Sequence, residues 1–123
     1  VWCGYAEREE LPAFYRMALC LLFPSLCEGL GIPPLEAMRC GTPVIVSDAA
    51  ALPETAGAAA LHCSPRNPFS LADKMRTLES DEALREQCAQ AGLERAKYFN
   101  WRMAADAMVA LYCRVGGSAS ASA

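Results

Sequence analysis

Apolar positions in this chain fall into short runs of strand length, separated by stretches in which they recur at helical spacing. Val1 to Cys3 reads as a short buried strand, ended by Gly4. Leu11, Phe14, Tyr15 and Ala18 share one face of a helix over residues 9–19, and Pro12, tolerable only in a first turn, places its start near Glu10. Leu19 to Phe23 is a continuous apolar run, the type covered on both faces in a parallel sheet. The next helix takes Pro34 as its first residue and has Gly41 just past its end. Thr42 to Ser47 is a third strand and Ala59 to Cys63 a fourth, with a short helix over Pro53 to Ala56 between them.

Three helices close the chain. Asn67-Pro68 starts one that carries Leu71, Met75 and Leu78 on a face. Ser80 or Asp81 caps a second with Leu84, Cys88 and Ala91, and Gly92 is its weak point. Asn100 caps the last, whose stripe is Trp101, Ala104, Ala105, Met108, Leu111 and Tyr112. Strands alternating with helices predict an α/β fold: a Rossmann-like parallel sheet with flanking helices, over residues 1–115. The remainder, 116–123, reads GGSASASA and is expected to be a disordered tail. Four strands followed by three helices would leave a sheet edge and a helix face open. A missing N-terminal portion accounts for this better than a complete miniature domain, and the start at Val1, without methionine, fits a beginning in mid-protein.

Composition narrows the function. A chain of 123 residues, 54% hydrophobic, fits one domain with a packed core. No apolar run approaches the roughly 20 residues that cross a bilayer, and no secretory signal is visible. A net charge of −3 with scattered Lys and Arg argues against a nucleic-acid partner. The seven cysteines show no C-x-x-C pairing and His62 is the only histidine, so a zinc site is poorly supported. Most cysteines sit in apolar runs and read as reduced core thiols, in line with a cytoplasmic protein; a disulfide framework is the weaker alternative.

The chemistry gathers in Cys27 to Thr42, CEGLGIPPLEAMRCGT. A strand, a glycine loop, a helix start and a second strand present polar ligands at the carboxyl edge of a sheet. Glu28, after its strand, places a carboxylate at that edge, where it can accept hydrogen bonds from a polar ligand. Gly29 and Gly31 would let backbone N–H groups approach the ligand. The helix start offers an anion its free N–H groups and positive dipole end. Glu36, in the first turn, has two acceptor oxygens. Blander roles compete. Glu36 complements a helix dipole, for roughly 0.3–1 kcal/mol, and Glu28 is a solvated loop charge. Glu54 organises its own helix turn, His62 is structural, Trp101 is core or interface, and Ser47 and Asp48 either reach the cleft or make a turn. A dinucleotide fold is a rival, with Gly29, Gly31 and Asp48 about twenty residues on, but its third glycine is Pro34 here.

The stretch FPSLCEGLGIPPLEAMRCGTPVIVSDAAALPE, Phe23 to Glu54, resembles the C-terminal domain of retaining glycosyltransferases of the GT-B fold, group 1 or GT4 type. Their motif of Glu, seven residues and Glu is Glu28 to Glu36, and the likeness continues through Asn67-Pro68 and Phe99-Asn100-Trp101. The resemblance implies a nucleotide-diphosphate sugar donor held by Glu28, Gly29, Leu30, Gly31, Ile32 and Glu36. Glu28 is the catalytic residue it implies, accepting from sugar hydroxyls and offsetting positive charge at the anomeric carbon. The same resemblance implies the helix start for the diphosphate and Glu36 for two ribose hydroxyls, with retention of configuration and with neither metal nor cofactor. It further implies an N-terminal domain, absent here, that supplies the acceptor site, together with an upstream basic pair. Peripheral attachment of the intact parent to a membrane is a related expectation. Cys27 stands where an aromatic is common, and Ala50 and Ala51 replace a glycine or serine pair. The alternative is a truncated or degenerate module that binds a nucleotide-sugar or a partner without catalysis.

Overall fold

The computed structural model describes the backbone of residues 2–119 and the side chains of residues 2–116. In order the elements are α1 (Leu11–Met17), β1 (Leu21–Phe23), α2 (Ile32–Arg39), β2 (Val44–Ser47), α3 (Leu52–Ala56), β3 (Leu61–Cys63), α4 (Pro68–Ser80), α5 (Glu82–Ala96) and α6 (Trp101–Ala119). The strands form a parallel sheet in the order β1-β2-β3, with Leu21 opposite Val44 and Ile45 opposite Leu61. The α/β parallel architecture is therefore as expected.

The central strand organises the packing because every one of its residues is buried. Its alternating side chains feed two cores. Val44 and Val46 join Leu35, Met38, Leu52, Ala56 and Ala96 on one face. Ile45 joins Cys63, Leu78 and Cys88 on the other. Capping follows the sequence closely: Asn67 Oδ1 accepts from the Phe69 amide at 3.0 Å, Asp81 Oδ1 from Leu84 at 2.9 Å, and Asn100 Oδ1 from Met103 at 2.9 Å. Gly41 follows α2 at φ 75°, the left-handed position past a helix end.

Several expectations are corrected. Of the strand expected over Val1 to Cys3, Val1 lies outside the described residues, and Trp2 and Cys3 are irregular backbone, with Trp2 94% exposed. The sheet accordingly has three strands among the described residues, and β1 is an edge strand with Leu22 partly open rather than covered on both faces. Gly92 is a packing requirement, not a weak point. A Cβ there would lie 3.1 Å from Met38 Cγ, so the missing side chain lets α5 cross closely over α2. Of the seven cysteines only Cys63 and Cys88 are buried, while Cys3, Cys27 and Cys113 are exposed; all seven are free. The stripe of α6 is exposed, and Trp101, 87% exposed, lies in no core among the described residues, which leaves the interface alternative. That helix runs to Ala119, into the stretch expected to be a disordered tail, and residues 120–123 lie outside the described ones. Ala50 adopts φ 53°, so the replacement of a glycine or serine pair leaves backbone strain beside α3.

Met38 is fully buried between α2, α5 and β2. Met38→Ala is expected to destabilise the chain by roughly 2–5 kcal/mol, whereas Met17→Ala, at an 87% exposed position, should change it by no more than about 0.5 kcal/mol. Urea unfolding of the two variants checks the contrast.

Candidate functional site

The candidate site grows from the loop between β1 and α2. Glu28 is half-buried, and its Oε1 accepts a hydrogen bond from Ser25 Oγ at 3.0 Å. Ser25 is itself held, because its carbonyl accepts a hydrogen bond from the Ser47 hydroxyl. Ser47 is the last residue of β2 and is fully buried. It neither reaches a ligand nor makes a turn; it ties the Glu28 loop to the central strand. The spacing of Ser25 and Glu28 was a visible signal for such a bond, but the Ser47 link needs the sheet.

The four residues after Glu28 divide by role. Gly29 is exposed, and a Cβ there would meet nothing within 4 Å, so the backbone lies open to an approaching molecule. Gly31 is buried at φ 81°, and a Cβ would lie 2.5 Å from Leu52 Cδ2. Its lack of a side chain thus serves the left-handed helix cap and contact with α3, a different reason from the close ligand approach expected of it. Leu30 and Ile32 are exposed. Among the described residues the amides of Gly29, Leu30, Gly31 and Ile32 make no hydrogen bond. Pro33 and Pro34 carry no N–H, so at the mouth of α2 the free donors are those of Gly31 and Ile32.

Helix α2 starts two residues earlier than expected, with Gly31 as N-cap. Glu36 is therefore in the second turn, and the first turn holds no acidic residue. Complementing the dipole, an effect confined to the first turn, does not explain Glu36. What the structure gives it is a partner from another helix: Tyr15 donates its phenol to Glu36 Oε2 at 3.1 Å. Burial, then the bond and charge of Glu36, push the Tyr15 phenol up to about 12. Sequence reading assigned Tyr15 only to an apolar stripe and missed this contact.

Leu30, Ile32 and Glu36 meet along a groove of about 790 Å³ between α2 and the start of α6, with Arg8, Arg39 and Trp101 among its other walls. Glu28, Gly29 and Gly31 do not line that groove. The remaining candidates take structural places. His62 Nε2 bonds the Gly57 carbonyl at 2.7 Å, and Glu54 lies in the first turn of α3. Asp48 is exposed, and its amide extends the β2–β3 ladder through the Cys63 carbonyl at 2.9 Å. Phe99 is fixed by the Arg95 guanidinium 5.1 Å over its ring and by Arg39, which donates to its carbonyl. No group of three or more metal-ligating side chains occurs among the described residues.

The chain belongs to the group 1 glycosyl transferases, whose family profile matches residues 1–95. It is 38% identical to O-antigen chain mannosyltransferase B of Escherichia coli over 100 residues, covering 81% of this chain and 26% of that protein. To a D-inositol 3-phosphate glycosyltransferase of Streptomyces bingchenggensis it is 32% identical over 85% of its own length and 24% of the relative's. Its fold matches a sucrose-phosphate synthase from Thermosynechococcus elongatus with a TM-score of 0.85 at 30% identity, over 96% of this chain and 30% of that one. The C-terminal domain of a group 1 family glycosyl transferase from Francisella tularensis matches with a TM-score of 0.69 at 32% identity, over 79% of this chain and 51% of that one. The chain thus spans about a quarter of the length of these two curated relatives, and it has the architecture of a GT-B C-terminal domain.

Two outcomes follow from the geometry. Gly31→Ala should destabilise the fold by roughly 1–3 kcal/mol through the Leu52 clash and the left-handed backbone, while Gly29→Ala should unfold at the wild-type urea concentration. The folded chain also keeps the Tyr15 proton to higher pH than the unfolded chain, where a tyrosine ionises near 10.0. The stability this contributes is complete below that pH and is lost as pH rises toward about 12. The stability gap between wild type and Tyr15→Phe, measured by denaturant titration, is expected to narrow over that interval.

Proposed function

We propose that this chain is the donor-binding domain of a retaining glycosyltransferase that moves a sugar from a nucleotide-diphosphate sugar to an acceptor hydroxyl. The observation that carries the reading is a run of four unbonded amides, Gly29 to Ile32, set between two carboxylates that each have a fixed hydroxyl partner. Family membership supports the reaction class. Glu28, aimed by Ser25, faces the sugar; it accepts hydrogen bonds from its hydroxyls and stabilises positive charge as the anomeric bond to the diphosphate breaks. The Gly31 and Ile32 amides and the positive end of α2 receive charge on the departing diphosphate, which lets the reaction proceed without a metal. Glu36 takes ribose hydroxyls. Leu30 and Ile32 flank the path between them.

In this reading the chain alone does not complete transfer. Holding donor and acceptor together in a closed cleft contributes roughly 7–11 kcal/mol, and the acceptor site belongs to an N-terminal domain of the intact enzyme. The share of its relatives' length that the chain spans supports this, and so does the open apolar stripe of α6. A cytoplasmic location, with peripheral contact to a membrane in the intact protein, belongs to the same reading; no helix among the described residues is long and apolar enough to cross a membrane.

In the intact enzyme, Glu28→Ala is expected to lower kcat roughly 10²–10³-fold, the range seen when a charge-stabilising group is removed. Glu36→Ala is expected to act mainly through a raised donor KM. Transfer of a radiolabelled sugar to acceptor checks both, and near-normal turnover in either variant removes that residue from the site.

A further inference from the structure

Tyr15 lies on α1, outside the loop and helix that carry the acidic motif, yet among the described residues its only side-chain hydrogen bond goes to Glu36 Oε2, at 3.1 Å. That bond is set up by the backbone. The Tyr15 carbonyl accepts from Thr42 Oγ1 at 2.7 Å and from the Ala18 amide at 3.1 Å. Thr42 is 2% exposed, and its own amide donates to the Ala37 carbonyl at 3.0 Å. One buried threonine therefore pins α1 to α2 at the residue next to Glu36. The Tyr15 ring packs against the main core besides. A phenol fixed in this way loses little conformational freedom when it meets the carboxylate.

We propose that Tyr15 is a positioning residue for ribose recognition. By occupying Oε2 it selects one orientation of the Glu36 side chain and leaves Oε1 aimed outward to accept from the ribose hydroxyls of a nucleoside diphosphate. This rests on the donor-binding reading and deepens it. Glu36 then recognises the diol through one committed oxygen, not through two free ones. Without the phenol, the Glu36 carboxylate has no hydrogen-bond partner among the described residues and must be ordered by the ligand itself, which costs affinity. Arg8 and Arg39 line the groove beside Glu36 but are exposed and form no ion pair with it, so neither substitutes for the tyrosine.

The test is calorimetric binding of uridine and guanosine diphosphates, and of their 2′,3′-dideoxy counterparts, to the 123-residue chain. The wild type should favour whichever ribonucleotide it binds over the dideoxy form. Tyr15→Phe should weaken binding of the ribonucleotide by roughly 3- to 10-fold, the range for one lost hydrogen bond, and leave the dideoxy affinity unchanged. Tyr15→Phe made in a Glu36→Gln background should add no further loss beyond that of Glu36→Gln alone. Thr42→Val, which keeps the phenol but frees its backbone, should reduce the ribose preference in the same direction and serves if Tyr15→Phe fails to fold. A ribose preference that survives in Tyr15→Phe overturns this inference alone, as does an equal loss for ribo and dideoxy ligands. A wild-type chain that binds none of the four nucleotides overturns the donor-binding reading and this inference with it.

Discussion

Two buried hydroxyls on either side of the central strand hold the candidate site in place. Ser47, at the end of β2, donates to the Ser25 carbonyl in the Glu28 loop; Thr42, just before β2, donates to the Tyr15 carbonyl on α1. Both are almost fully buried, where an unpaired hydroxyl would be costly, so each bond is strongly favoured. The strand between them is buried along its whole length and packs against both cores. Each acidic side chain of the motif thus receives a hydrogen bond from a residue whose backbone is anchored to the most rigid part of the molecule. Preorganisation of this kind is what lets a carboxylate act on a developing charge without first being ordered.

The loop between the acids works by the opposite means, through what is missing. Gly29 leaves the backbone open, and Pro33 and Pro34 remove two N–H groups from the start of α2. Gly31 bends the chain into the left-handed cap against Leu52. The amides of the exposed Gly29, Leu30 and Ile32, and that of the buried Gly31, are left without partners among the described residues, next to the positive end of a helix. An anion is the partner such a cluster favours.

Much of this was legible in the sequence because it depends on local rules. The caps at Asn67, Asp81 and Asn100, the end of α2 before Gly41, and the strands at Leu21–Phe23, Val44–Ser47 and Leu61–Cys63 follow from short-range chemistry and apolar runs. The Glu28-to-Glu36 motif was readable for the same reason. What was not legible depends on contacts across the chain. Tyr15 and Glu36 are 21 residues apart and Ser25 and Ser47 22 apart, so periodicity showed Tyr15 only as an apolar position. The strand expected at Trp2 and Cys3 and a core place for Trp101 did not form for a related reason: an apolar run becomes a core element only if something packs on it, and both tryptophans are exposed.

The central claim is that the unpaired amides between two held carboxylates receive the diphosphate and ribose of a sugar donor. Amide chemical shifts of the isotopically labelled chain, followed while uridine or guanosine diphosphate is added, test it most directly. Saturable shifts concentrated at Gly29 to Ile32 and around Glu36 are the predicted result. Shifts confined to the opposite end of the sheet, or none at these residues while the nucleotide binds, would contradict it.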